Sequence, residues 1–126
     1  MHRVTAAVFA LLLVCAVPTF ASESHVASQA AVKTVRGEVV DMGCYLGHGA
    51  HGADHVSCAT KCLAQGMPMG LLTENGTLYL VTLDHDNADP YVGMKGMAGK
   101  QVAVTGAVLT RNGMKAIEAT SVKPAQ

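Results

Sequence analysis

The sequence predicts a mainly β fold, in which five strands form a small antiparallel barrel with one short helix in an insertion between strands one and two. Three observations lead to this prediction. Residues 35–42 alternate apolar and polar side chains, as a strand with one solvated face does. Two Asn-Gly pairs, at 75–76 and 112–113, each lie between β-rich runs and therefore mark hairpin turns. One strand and two hairpins give five strands.

The first 21 residues have the pattern of an export signal. A short basic start that includes Arg3 precedes an apolar run over residues 4–17, which is shorter than the roughly 20 residues of a membrane span. A small-residue site predicts cleavage after Ala21, which removes Cys15 with the signal. We therefore expect a periplasmic or secreted protein with no membrane span after cleavage.

The mature chain is expected to contain one domain. Residues 22–33 are small and polar without a sustained period, and they predict a flexible linker. A single domain is predicted over residues 34–123. In strand one, Val35, Gly37 and Val39 share the face opposite to that of Arg36 and Glu38.

The two hairpins account for the other four strands. The first is predicted over residues 70–83, and the second pairs residues 102–110 with residues 114–122. Between them, residues 84–100 contain one proline and three glycines, so this segment can form at most a turn or two of helix across one end of the barrel.

The insertion over residues 43–70 departs from a plain barrel. Three glycines interrupt its first half: Gly47, Gly49 and Gly52. They predict that no helix forms before residue 53. Asp54 is a suitable cap for a helix over residues 55–65, and Gly66 is a natural terminator of that helix.

The closing segment AGKQVAVTGAVLTRNGMKAIEATSV resembles the last hairpin of small exported bacterial proteins with an OB-like barrel and a Cys/His-containing insertion. The residues that carry the resemblance are Gly99, Val102, Val104, Gly106 and the second Asn-Gly turn. It covers residues 34–123. The resemblance implies an OB-like barrel but no function, because this family is functionally uncharacterised and a fold does not by itself transfer an activity.

The insertion concentrates soft metal ligands. In order along the chain they are Cys44, His48, His51, His55, Cys58 and Cys62. Thiolate and imidazole bind zinc and copper well, so this composition predicts either a metal site or a disulfide. Cleavage at residue 21 leaves three cysteines, an odd number that cannot all pair within an exported chain. We predict a metal site formed by Cys44, Cys58, Cys62 and His55.

On the predicted helix, His55, Cys58 and Cys62 fall within an arc of roughly 60°. His55 and Cys62 nevertheless lie about 10 Å apart along the axis, so one ion is not expected to bind both. Cys58 and Cys62 with Cys44 form the thiolate set, and the fourth position is a histidine or stays open. His48 and His51 are alternatives to His55, or solvated loop residues. His25 and His85 are expected at the surface.

Copper is favoured over zinc as the bound ion. Five methionines lie in or near the glycine-rich segments: Met42, Met67, Met69, Met94 and Met97. Thioether joins thiolate and imidazole in binding copper(I), whereas zinc sites rarely use it. The competing interpretation is that these methionines fill the core, which is the commoner role of this side chain.

Two other interpretations of the cysteines remain open. A disulfide from Cys44 to Cys58 or to Cys62 would staple the insertion to the barrel and make it a recognition loop for another envelope protein. A bond between Cys58 and Cys62 is disfavoured, because their β-carbons lie too far apart on a helix. Thiol redox chemistry at Cys58 is the third possibility, but three intervening residues differ from the usual two.

Composition argues against several function classes. The full chain has nine acidic and nine basic residues, no charge run and no tryptophan, so nucleic acid is not an expected partner. No acidic residue lies at a spacing from Ser57 that would indicate a hydrolytic site. The glycines have the pattern of turns and not of a phosphate-binding loop. We therefore expect a binding protein and not an enzyme.

Overall fold

The computed structural model of the protein describes residues 30–125, so the predicted export signal and the linker up to residue 29 lie outside the described part. The described elements follow here in chain order. They are β1 (Ala31–Asp41), α1 (Met42–His48), a 3₁₀ turn (Ala53–His55), α2 (Val56–Ala64), β2 (Met69–Leu72), β3 (Leu78–Leu83), α3 (Asp89–Met94), a second 3₁₀ turn (Lys95–Met97), β4 (Gln101–Arg111) and β5 (Met114–Pro124). The prediction of a mainly β fold with five strands is confirmed for this part of the chain.

The five strands close into a barrel in the order β1-β2-β3-β5-β4, and β4 pairs again with β1. Four of the five strand pairs are antiparallel, but β3 and β5 run parallel, with Leu80 opposite Ala116. The predicted all-antiparallel barrel is therefore wrong. Strand direction cannot alternate all the way around a ring with an odd number of members, so a closed barrel of five strands needs at least one parallel pair.

Both predicted hairpins are present. In the second, Asn112 (φ 50°) and Gly113 (φ 82°) form the two-residue turn that joins β4 to β5. The first is wider, because the loop between β2 and β3 spans residues 73–77 and only Gly76 (φ 80°) has positive φ in it. The Asn75 side chain accepts a hydrogen bond from the Thr77 N–H at 3.2 Å instead.

An irregular register in the last strand has a local cause. The pairing of β4 with β5 shifts between Thr105 and Gly106, where Thr105 lies opposite Ser121 and Gly106 lies opposite Ala119. Thr120 is therefore the extra residue of a bulge, and its hydroxyl donates to the Thr105 carbonyl oxygen at 3.0 Å.

The first strand begins earlier than predicted. Ala31 already pairs with Val108 of β4, so the strand starts at Ala31 and not near Thr34, inside the segment interpreted as linker. Its second half also departs from simple alternation, because every residue from Gly37 to Asp41 is buried. Both faces are covered there, since the insertion packs over the outside of the barrel.

The insertion contains two α-helices, so the prediction of a single helix is wrong. Met42–His48 is helical although it contains two glycines, because both of its ends are capped. Asp41 caps the start by accepting the Cys44 N–H, and Gly49 (φ 72°) ends it with its own N–H bonded to the Tyr45 carbonyl oxygen at 2.8 Å.

The second helix agrees more closely with prediction at its end than at its start. Asp54 does not cap it, because residues 53–55 form a 3₁₀ turn and the helix begins at Val56. Gly66 (φ 98°) terminates it as predicted. The N–H groups of Gly66 and Met67 bond to the carbonyl oxygens of Leu63 and Cys62, a standard glycine-terminated helix end.

The helix α3 and its following 3₁₀ turn occupy the predicted position between the hairpins.

The core contains twelve buried apolar residues: Val39, Ala59, Leu63, Met69, Leu71, Val81, Met94, Ala98, Val102, Val104, Ile117 and Ala119. Ala59 and Leu63 come from α2, so this helix is part of the core. The start of α2 packs against the backbone at Gly99 (φ 71°), where a Cβ atom would collide with the Val56 side chain. Over residues 30–125, none of the helices has both the length and the apolar character needed to cross a bilayer.

The bulge generates a stability prediction. A Cβ atom at Gly106 would collide with the Glu118 carbonyl oxygen, which is backbone and cannot rotate away. We expect Gly106→Ala to lower the free energy of unfolding by about 1–3 kcal/mol, as overpacking typically does. Gly93→Ala is the matched control, because Gly93 lies in α3 with open space around it and helices favour alanine. Urea denaturation that gave equal midpoints for the two variants would contradict this reading of the bulge.

Candidate metal centre

The candidate site lies where the first strand ends and the insertion begins. Asp41 is the last residue of β1 and is fully buried. One of its carboxylate oxygens, Oδ1, accepts the Cys44 N–H at 2.8 Å. This bond sets the start of α1 and fixes Cys44 three residues after the strand. The cap therefore links a rigid barrel strand directly to the first cysteine.

Asp41 also reaches the 3₁₀ turn that precedes the second helix. Its other carboxylate oxygen, Oδ2, lies 3.0 Å from Nε2 of His55. The His55 side chain is only 17% exposed, so the pair is largely shielded from water. A carboxylate that bonds one ring nitrogen orients the imidazole and leaves Nδ1 as the nitrogen with a free lone pair.

The second helix presents its cysteines beside the face that enters the core. Cys58 and Cys62 lie one residue before Ala59 and Leu63, respectively. The face that carries the cysteines is therefore rotated by about 100° around the helix axis from the face that carries the two buried residues. Cys58 is exposed and Cys62 is half-buried. Burial of Ala59 and Leu63 thus fixes the rotation of α2 and turns the cysteines toward α1.

Two groups of potential ligand atoms result. Cys44, His55 and Cys58 have one ligand atom each within 4.8 Å of one another, and so do Asp41, Cys44 and Cys62. Cys44 belongs to both groups. The structure therefore brings together the four residues predicted from the sequence, in groups close enough to hold a metal ion. His55 and Cys62 share no group, in line with the expected distance along the helix.

The electrostatics of these residues centre on Asp41. Burial disfavours its charge, but hydrogen bonds from the Cys44 N–H and from His55 outweigh this and lower the pKa of Asp41. Burial, hydrogen bonding to Asp41 and the charges of Asp41 and Cys58 raise the pKa of Cys44 to about 12. Burial and the neighbouring Cys58 also raise the pKa of Cys62.

These shifts bear on the chemistry open to the thiols. A redox-active cysteine has a lowered pKa, because the thiolate is the attacking species. Cys44 and Cys62 have raised pKa values, and both therefore hold their protons at neutral pH. A metal ion that bound them would displace those protons. The three cysteines of residues 30–125 are free thiols, and none of these three is in a disulfide.

The other histidines within the described part of the chain lie outside both groups. The His48 ring packs edge-on against His55, with ring centroids 6.4 Å apart. His51 lies elsewhere, with Nδ1 3.6 Å from the Glu38 carboxylate and its ring edge-on to Tyr45. Both are exposed, as is His85 in the loop after β3, whereas His25 lies outside the described residues. His48 therefore packs against the candidate ligand His55, whereas the contacts of the His51 ring are with Glu38 and Tyr45.

The methionines divide by burial. Met69 and Met94 are fully buried and Met97 packs against the core, so these three fill the interior. Met67 differs, because its thioether sulfur lies against Gly43, the residue before Cys44. The Met67 sulfur therefore borders the first turn of α1.

Sequence reasoning missed Asp41. Its signal was present, since an aspartate three residues before Cys44 matches the spacing of a helix cap. The glycines of the following segment indicate a loop, and a loop has no helix start for an aspartate to cap.

The position of Asp41 generates a prediction. We expect Asp41→Ala to lower the free energy of unfolding by about 1–3 kcal/mol, because it leaves the Cys44 N–H and His55 without their buried acceptor. Asp54→Ala is the control, since Asp54 is an exposed carboxylate in the same insertion. Because the folded pKa of Asp41 lies below its ordinary value of 3.8, its contribution is present at neutral pH and is lost as pH falls through the folded pKa. Urea denaturation at pH 7 with equal midpoints for the two variants would contradict this role.

Comparison with known proteins finds no significant match for this chain among protein-family models, curated proteins or solved structures.

Proposed function

We propose that this chain is a small periplasmic protein that binds a soft metal ion, copper in preference to zinc, for metal handling or sensing. Cys44, Cys58 and Cys62 are the proposed thiolate ligands, and His55 assists them. The observation that carries the proposal is the pair of ligand groups, each within 4.8 Å, that meet at Cys44. The role is one of binding and not of catalysis.

The surroundings of His55 support a ligand role. Metal-bound imidazoles typically bond a carboxylate or carbonyl oxygen through their second nitrogen, which fixes the ring and raises its basicity. Asp41 stands in that relation to His55, at 3.0 Å from Nε2. The donor set of sulfur and imidazole nitrogen therefore fits a soft ion.

Copper(I) suits the ligand number better than zinc does. Structural zinc sites almost always have four protein ligands in a tetrahedron, whereas each group here supplies three. Thiolate-rich sites select copper(I), and the Met67 thioether beside Gly43 of α1 is a further soft donor in the insertion. These features favour copper over zinc.

The fold and the location complete the proposal. The strand order β1-β2-β3-β5-β4 and the helix before β4 support an OB-like barrel, in which the ligand cluster occupies the loop between strands one and two. Loops at this position commonly carry the binding sites of such barrels. The export pattern at residues 1–21 supports delivery to the periplasm or beyond.

A metal analysis tests the proposal. The protein, recovered from the compartment to which it is exported and kept reduced and anaerobic, is loaded with copper(I) or with zinc and passed through gel filtration. We expect at least one copper ion per chain to be retained, and copper to displace zinc. We expect Cys58→Ser to weaken copper binding by at least about tenfold, since even an outer-shell change typically costs that much.

The matched control is His85→Ala, which removes an exposed imidazole far along the chain from the insertion and should leave binding unchanged. Wild-type protein that retained neither metal at stoichiometric level, with no further change in Cys58→Ser, would contradict the proposal.

The alternative function is a disulfide-stapled binding module of the cell envelope. The observation that favours it is that the Cys44 sulfur lies within 4.8 Å of a sulfur of Cys58 and of Cys62, so a small movement would allow either bond. A thiol count on freshly exported protein separates the two. One reactive thiol in the untreated protein supports the staple, whereas three thiols that are masked only while metal is present support coordination.

A further inference from the structure

The two ligand groups overlap in a single residue. Cys44 forms one group with His55 and Cys58, and a second with Asp41 and Cys62. Cys58 and Cys62 lie one turn apart on α2, about 6 Å along the axis, so they approach Cys44 from two levels of the helix. A thiolate sulfur has enough lone pairs to bind two soft ions at once.

We propose that the site holds two copper(I) ions bridged by the Cys44 thiolate. This inference rests on the proposed function and deepens it. One ion lies among Cys44, Cys58 and His55, in a three-coordinate arrangement. The other lies between Cys44 and Cys62, with the Asp41 carboxylate beside it.

The distances fit a two-coordinate second ion. Two metal–sulfur bonds of about 2.3 Å each span about 4.6 Å when the metal lies between the sulfurs. The Cys44 and Cys62 sulfurs lie within 4.8 Å of each other, a limit that admits an ion between them. A single ion bound by all three sulfurs would instead have to reach both Cys58 and Cys62, which lie one turn apart along α2.

Charge also favours the second ion. Three thiolates around one copper(I) ion leave two uncompensated negative charges, and the buried Asp41 carboxylate adds another. Uncompensated charge is costly in a partly buried site. A second copper(I) ion removes one of these charges. Each thiol releases its proton as it binds, both ions remain copper(I), and no electron is transferred.

Asp41 acts here as a positioning residue. Its two oxygens are held by the Cys44 N–H and by His55, so the carboxylate joins one ligand from each group. It holds the bridging cysteine and the imidazole at fixed positions relative to each other, and its charge faces the second ion. The soft donors for that ion are the two sulfurs.

The test is a copper(I) titration of the reduced, anaerobic full mature protein, with the ion supplied from a competing chelator and the complexes weighed by native mass spectrometry. We expect two copper ions per chain. X-ray absorption at the copper edge should then show copper–copper scattering, which two ions bridged by one sulfur produce and two separate sites do not.

Variants assign the two positions. We expect Cys62→Ser and Cys58→Ser each to retain one ion, and Cys44→Ser to retain fewer than one, because it removes the shared ligand. Ser57→Ala is the matched control, since Ser57 is an exposed neighbour of Cys58 and should leave two ions bound. The wild-type stoichiometry and scattering need no variant, so a variant that fails to fold leaves the test intact.

The outcomes separate this inference from the proposed function. One copper ion per chain would overturn the bridged pair and leave soft-metal binding in place. Two ions without copper–copper scattering would likewise overturn the bridge. No copper bound at all would contradict the proposed function itself.

Discussion

The fully buried carboxylate of Asp41 is the constraint on which the candidate site depends. A buried charge is tolerated only when hydrogen bonds replace its lost hydration. Asp41 meets this requirement with two partners from different elements, the Cys44 N–H of α1 and the His55 ring of the 3₁₀ turn before α2. The same bonds that satisfy the carboxylate therefore fix the positions of two candidate ligands.

The barrel supplies the rigidity that this arrangement requires. β1 is paired on both sides, with β2 and with β4, so the strand that carries Asp41 has little freedom to move. On the other side of the site, Ala59 and Leu63 enter the core and fix the rotation of α2. The ligands lie between two elements held by packing and strand pairing, a preorganisation that favours tight binding because little conformational entropy is lost.

Much of the fold could be predicted from local patterns, and the errors arose where tertiary context decided the outcome. The two Asn-Gly turns and the terminator Gly66 depend on the backbone preferences of the residues themselves, so they can be predicted from the local sequence. The parallel pairing of β3 with β5 follows from closure of the ring, which no local pattern reveals. Helix α1 forms because Asp41 caps it, and this overrides the low helix propensity of its glycines.

The composition of the site was readable, but its arrangement was not. The spacing predicted that His55, Cys58 and Cys62 share one helix face and that His55 lies too far from Cys62 to bind the same ion. In the structure, His55 and Cys62 belong to different ligand groups. The sequence also predicted Cys44 as the third thiolate, but the cap that fixes its position lies in a segment whose glycines indicated a loop.

Anomalous diffraction at the copper edge from crystals of the copper(I)-loaded protein tests the central claim most directly. The account predicts anomalous density next to the Cys44 sulfur, facing α2, with His55 still bonded to Asp41. Density at any place away from Cys44, or a Cys44 side chain turned away from α2, would contradict it.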